Sequence, residues 1–204
     1  MDVTKKLMQE HQLILRYIAL IGRMAATWEP GVNDDEYFST LRQIVDFIKT
    51  YADHFHHAKE EDILFRHLEG PGVLTHCNPI PVMLFDHEEG RTLTARLLEA
   101  IETQNRNDAL AYAQGWGEHL TGHIYKEDNV LYPMAEEGLS DFEKSVVLQE
   151  YQAAEESQKA GLEAFYEKLL TDLESQQKLL MRAQGPVDSR PPLVQLHRGW
   201  LPKV

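Results

Sequence analysis

His56-His57-Ala58-Lys59-Glu60-Glu61-Asp62-Ile63-Leu64-Phe65 and His123-Ile124-Tyr125-Lys126-Glu127-Asp128-Asn129-Val130-Leu131-Tyr132 match position by position as His-x-x-Lys-Glu-acid-x-aliphatic-Leu-aromatic. On a helix, a histidine and a glutamate four residues apart share one face, one turn apart. A single such pair is more often a solvated ion pair. Two copies in matching contexts, both on apolar stripes, point instead to a metal site shared between helices. The repeat has a second layer: Glu10-His11 precedes the first pair and Asp86-His87 precedes the second. The chain therefore reads as two helical hairpins, each offering an acid–histidine pair and then His-x-x-x-Glu. Packed about a pseudo-two-fold axis, the hairpins would bring His11, His56, Glu60, His87, His123 and Glu127 to one level.

The chemistry suits that grouping. Charged carboxylates buried without partners are costly, and a dinuclear cation removes the cost. Two glutamates from opposite helices can bridge two metals, while four imidazoles supply two terminal nitrogens to each. Mixed imidazole and carboxylate ligation suits iron, and manganese and zinc also fit. The remaining positions stay open to water, an oxo bridge, dioxygen or another small ligand.

His57 and Glu61 form a competing His-x-x-x-Glu. Alignment through Leu64-Phe65 and Leu131-Tyr132 sets the register on His56 and Glu60. His57 then lies about 100° round the helix, as a solvated side chain or as an extra or supporting group. His119 sits on the inward stripe one turn before His123; it is a candidate extra ligand or a group holding a carboxylate, with a core histidine beside Trp116 as the alternative. Arg91 is expected either to pair with a buried acid or to snorkel to water. On this register, Glu60→Ala and Glu127→Ala each empty the site and Glu61→Ala does not. Cys77 beside His76 reads as an inert loop thiol, Tyr112, Tyr125 and Trp116 as packing, and Glu155-Glu156 as a solvated face.

Four helices must position these groups. The first carries Val3, Leu7, His11, Ile14, Ile18, Ile21, Ala25 and Trp28, and breaks at Glu29-Pro30-Gly31. The second is capped near Asn33 to Glu36 and carries Leu41, Val45, Ile48, Ala52, His56, Glu60 and Ile63, ending at Glu69-Gly70-Pro71-Gly72. The third carries Leu84, His87, Arg91, Thr94, Leu98 and Ile101. The fourth carries Ala109, Tyr112, Trp116, His119, His123, Glu127, Val130 and Met134, with Gly115, Gly117 and Gly122 allowing close helix approach. The expected fold is all-α: an antiparallel up-down four-helix bundle over residues 1–138. Ser140 to Glu143 reads as a capping box opening a C-terminal helical extension over 139–182, interrupted near Gly161. Phe142, Val146, Leu162, Phe165, Leu169 and Leu173 would pack it on the bundle or on a second chain, so a homodimer is one expectation. Residues 183–204, with Pro191-Pro192 and Trp200, read as an extended tail.

Composition bounds the function class. The 204 residues carry 33 acidic and 20 basic side chains, a net charge of −13, which argues against nucleic acid and anionic membrane as partners. One cysteine excludes an intramolecular disulfide. No signal-like segment opens the chain, and no apolar run is long enough for a membrane span, so cytoplasm is the expected compartment.

The order histidine, His-x-x-x-Glu, histidine, His-x-x-x-Glu, with His-His-x-Lys-Glu-Glu-x-x-Leu-Phe and Asp-His-Glu-x-Gly-Arg, resembles the hemerythrin-like family, the HHE cation-binding domain, over about residues 1–138. The resemblance implies a four-helix bundle around a non-haem, oxo- or hydroxo-bridged centre of two iron ions. Carried over residue by residue, its ligands are His11, His56, Glu60, His87, His123 and Glu127, with both carboxylates bridging. Two departures stand out. Oxygen-carrying hemerythrins have a second histidine four residues after the third-helix ligand, where this chain has Arg91. They also place an aspartate five residues after the fourth-helix histidine, where this chain has Glu127 at four and Asp128 at five. The pattern is closer to bacterial hemerythrin-like proteins and di-iron repair proteins, without the extra N-terminal segment of the repair type. The function implied is binding or sensing of a small ligand (dioxygen, nitric oxide, peroxide) or of iron itself. An oxidoreductase acting on peroxide or nitric oxide, and a bundle merely stapled by metal, are the alternatives; no catalytic residue is assigned.

Overall fold

The computed structural model describes residues 2–27, 34–74, 77–157 and 160–184. Trp28, the Glu29-Pro30-Gly31 break, Asn33, His76 and the tail beyond residue 184 lie outside them. Every regular element among the described residues is helical. We number six helices: α1 (Lys5–Thr27), α2 (34–68), α3 (Ile80–Glu102), α4 (106–138), α5 (Asp141–Ser157) and α6 (Leu162–Gln184).

Local chemistry starts and stops them. The Asp2 carboxylate accepts from the amides of Thr4 and Lys5 ahead of α1. Asn78 accepts from the Ile80 amide at the start of α3, and Asn105 from the Asp108 amide at the start of α4. Ser140 and Glu143 form the reciprocal capping box. Gly161, at φ +80°, separates α5 from α6.

α1 packs on α4, α4 on α3, α3 on α2, and α2 back on α1. At Gly117 of α4, an added Cβ would sit 3.1 Å from a methyl of Ile18, so the missing side chain is what lets α1 and α4 approach here. Two apolar cores fill the ring. One gathers Ile14, Tyr17, Phe47, Tyr51, Leu97 and Trp116; the other gathers Leu7, Leu64, Met83, Leu131, Tyr132 and Val147. The repeat histidines and glutamates fall between them, as a polar layer in an otherwise apolar interior.

α2 and α4 are not uniform α-helices. Ile48–His57, Glu60–Leu64 and Glu127–Leu131 adopt the wider π-helical winding, which recurs at functional sites because it re-aims side chains. The winding explains one departure from the expected stripes. Val130 is exposed, and Leu131, Tyr132 and Ala135 face inward in place of Val130 and Met134. A second departure is on α3. Leu84 is exposed and Met83 buried, because the inward step before His87 is four residues rather than three.

The C-terminal extension packs on its own chain. α6 buries Tyr166, Leu170 and Leu173 against α1 and the π-helical part of α2, and α5 buries Val147 and Tyr151 beside Leu64. The Tyr17 hydroxyl donates to the Tyr166 carbonyl, and the Tyr166 hydroxyl to the Asp46 carboxylate. Phe142 and Phe165 do not pack on the bundle and are exposed on this chain. No helix of the described residues is long and apolar enough to cross a membrane.

Candidate metal centre

α1 supplies His11, α2 His56 and Glu60, α3 His87, and α4 His123 and Glu127; all six side chains are buried. The histidines meet in pairs, with His11 Nε2 3.0 Å from His56 Nε2 and His87 Nε2 3.0 Å from His123 Nε2. The carboxylates lie between the pairs. Glu127 places Oε2 3.3 Å from His11 and Oε1 3.0 Å from His123. Glu60 Oε2 is 3.8 Å from His56 Nε2 and 3.5 Å from His87 Nε2.

Behind each ring stands another carboxylate. His11 Nδ1 donates to Asp128 (2.8 Å), His56 Nδ1 to Glu10 (2.9 Å), His87 Nδ1 to Glu61 (2.6 Å) and His123 Nδ1 to Asp86 (3.3 Å). Such partners set the tautomer and orient the ring. Lys59 pairs with Glu10, and its counterpart Lys126 with Asp86. Every polar position of the sequence repeat thus has a place. The histidine and glutamate face the centre. The lysine holds the acid behind its own helix's histidine, and the acid after the glutamate holds the first histidine of the other hairpin. The aromatic positions follow suit, with Tyr132 stacked over His11 and Phe65 over His87. One difference breaks the symmetry: the Tyr132 hydroxyl donates to Glu60 Oε1 at 2.7 Å, and Phe65 has no hydroxyl to offer Glu127.

A cation fits this arrangement. With Nδ1–H committed to a carboxylate, each neutral imidazole turns its lone pair at Nε2 toward the centre. Two lone pairs then face each other at 3.0 Å, next to carboxylate oxygens, a repulsive arrangement unless a cation or protons intervene. Glu60 Oε2 and both oxygens of Glu127 are buried without hydrogen-bond partners, although imidazole nitrogens lie within 3.0 to 3.8 Å of them. Those nitrogens are near but not aimed along a hydrogen bond. Two donors bound at right angles, each about 2.1 Å from one ion, would be about 3.0 Å apart, the separation seen within both histidine pairs. Two groups bring one donor atom from each residue within 4.8 Å of one another and could hold an ion: His11, His56 and Glu127, and His57, Glu60, His87 and His123.

Without cations, protons redistribute. Burial and the neighbouring Glu127 charge push the Glu60 carboxyl well above the usual carboxylate range. At Glu127 the burial penalty is outweighed by His123, His11 and His87, which hold it well below that range. Burial disfavours the charged form of His11, but Asp128 and Glu127 outweigh it and push the ring up to about 8. At His123 the same contest, decided by Glu127 and Asp86, gives about 9. Burial with the His11 and His57 charges drives His56 well down.

The neighbours take places that the sequence left open. His57 is buried rather than solvated, because the π-helical winding turns it inward beside His56. His119 is half-buried and donates from Nε2 to the backbone carbonyl of Asp86 at 2.7 Å, so it ties α4 to α3 rather than joining the ligand groups. Arg91 pairs with two acids, Asp53 and Glu61. Through Glu61 it reaches His87, so Glu61 is a supporting group and not a bystander. Glu155, expected on a solvated face, reaches Lys59 at 3.3 Å. Glu10, Asp86, Lys59, Lys126, Asp128 and Tyr132 were legible as members of the repeat, but their roles were not. The missed signal was a charged residue repeated in register with each ligand.

A cavity of about 200 Å3 opens between α2 and α3 and ends on His57 and His87. Ile48, Ala52, Gly90, Thr94, Leu98 and Trp116 make its walls mainly apolar, and exposed Lys49 and Ala95 mark its solvent side.

Among protein families, the model of the hemerythrin HHE cation-binding domain matches residues 2–135. Comparisons with curated proteins and with solved structures gave no match.

Proposed function

Starting from the chain's membership of the hemerythrin HHE cation-binding domain family, we propose that it is a non-haem di-iron protein that binds or senses a small ligand. The ligand class is dioxygen, nitric oxide or peroxide, or the iron itself is what is sensed. The scaffold is an antiparallel up-down four-helix bundle, and the protein works in the cytoplasm. The observation that carries the reading is the placing of Glu60 and Glu127. Each buried carboxylate lies between the His11–His56 pair and the His87–His123 pair, where it can bridge two cations.

His11 and His56 would hold one ion, His87 and His123 the other. Bound iron would supply open positions for a small ligand and exchange between ferrous and ferric states. The chain supplies the rest. Asp128, Glu10, Glu61 and Asp86 each accept from Nδ1, which leaves Nε2 as the nitrogen facing a bound ion and fixes the ring planes. Lys59 and Lys126 neutralise the acids behind the rings. Tyr132 holds Glu60 by one oxygen, and the apolar cores on either side exclude water. The cavity beside His87 supports access for a small, weakly polar ligand.

Metal analysis and absorption spectroscopy of protein loaded anaerobically with ferrous iron test this. About two irons per chain, with an oxo-bridged ferric spectrum after oxidation, are expected. A reversible spectral change with dioxygen or nitric oxide and no turnover fits binding. Multiple turnovers of peroxide or nitric oxide would replace it with the oxidoreductase alternative. Retention of zinc alone under iron-replete loading would replace it with the metal-stapled bundle.

A further inference from the structure

We propose that His57 is a fifth imidazole ligand, belonging to the metal position of His87 and His123 and making the two positions inequivalent. The inference rests on the dinuclear reading above and concerns a residue outside the six ligands of the repeat.

Four observations carry it. His57 is 5% exposed, and neither of its ring nitrogens has a hydrogen-bond partner. A buried imidazole with both polar atoms unmatched is costly, and an ion satisfies one of them directly. Second, one ring nitrogen of His57 lies within 4.8 Å of donor atoms of Glu60, His87 and His123. Third, a carboxylate lies behind this ring too, outside hydrogen-bond geometry. The ring's Nδ1 is 3.5 Å from the Asp53 carboxylate, which Arg91 holds from Nε at 2.9 Å. Fourth, the repeat supplies no counterpart on the other side. The residue after His123 is Ile124, buried in the apolar core. One ion would therefore meet three imidazoles and the other two.

The local backbone is what allows it. On an α-helix, adjacent residues point about 100° apart. The π-helical run Ile48–His57 turns both toward the centre, each to a different group of donors. The rings of His57 and His87 now stack face to face, 3.9 Å apart and 10° from parallel. Two imidazoles bound in-plane to one ion cannot stay parallel in that way, so metal loading must tilt His57. No hydrogen bond opposes the tilt, and the cavity along its flank gives the ring room. With His57 bound, the position beside His11 and His56 keeps fewer protein donors.

The test loads the full chain with cobalt(II) and records its proton NMR spectrum in water. Each bound imidazole contributes one paramagnetically shifted, exchangeable N–H resonance. Wild-type protein with two cobalt ions is expected to show five such resonances, and His57→Leu with the same cobalt content to show four. Four in the wild type, unchanged by the substitution, would overturn the proposal and leave the dinuclear centre standing. Fewer than two cobalt ions per wild-type chain would overturn the dinuclear reading and the proposal with it. The wild-type count decides the matter whether or not the variant folds.

Discussion

Replacing Glu61 separates a residue that orients a ligand from one that is a ligand. Its carboxylate accepts from His87 Nδ1 at 2.6 Å and is held by Arg91 at 2.7 Å. Removing such a partner typically lowers metal affinity about 10- to 100-fold, equivalent to about 1.4 to 2.7 kcal/mol. Glu61 is 25% exposed at its side chain, so water can take its place behind the ring. The expected loss for Glu61→Ala is therefore near the lower bound, about 10-fold or about 1.4 kcal/mol. Glu60→Ala removes a donor from the centre itself and should abolish binding of the second ion. Asp62→Ala, at an exposed neighbouring position, should leave affinity unchanged. Competition against a chromophoric chelator at fixed pH measures all three. Affinity for Glu61→Ala within twofold of wild type would refute the orienting role. A loss as complete as that of Glu60→Ala would put the ligand register one residue further along the helix.

Two further outcomes follow from the same geometry. His11 and His123 of the metal-free protein titrate near 8 and 9, above the ordinary histidine value. They carry protons at neutral pH that metal must displace. Affinity should rise with pH up to about 9, fall as pH drops through 9 and then 8, and loading at pH 7 should release protons into weak buffer; constant affinity from pH 9 to 6 would contradict this. Tyr132→Phe converts one half of the repeat to the other half's Phe65 and removes the hydroxyl that donates to Glu60. Metal content should persist, while thermal denaturation of the metal-free protein shows a loss of about 1 to 3 kcal/mol from the unsatisfied buried carboxyl; an unchanged melting temperature would show that Glu60 needs no such partner.

Much of the centre is legible before folding because the chain states it twice. Histidines and glutamates placed on apolar stripes are costly inside a protein unless they meet something, and two copies in one register make coincidence a poor explanation. The repeat thereby determines the six inward groups, the all-helical class and the pairing of His56 with Glu60 rather than with Glu61. Residue type alone also marked Arg91 as a departure from the oxygen carriers.

Contacts between helices were not legible, because they depend on how side chains from distant turns meet. No spacing rule tells that Asp128 backs His11 from across the ring, that Lys59 lies under Glu10, or that α6 covers α1 and α2 while Phe165 stays in water. Stripe arguments assume a uniform α-helix, so they left His57 off the inward face and put Val130 in the core. The π-helical winding reverses both, and winding is a property of the backbone as packed rather than of any local residue preference. Sequence by itself determined which histidines and glutamates converge in the buried polar layer. Tertiary structure alone decided their order of contact, the inequality of Tyr132 and Phe65, and the inward turn of His57, because each depends on the exact path of neighbouring backbones.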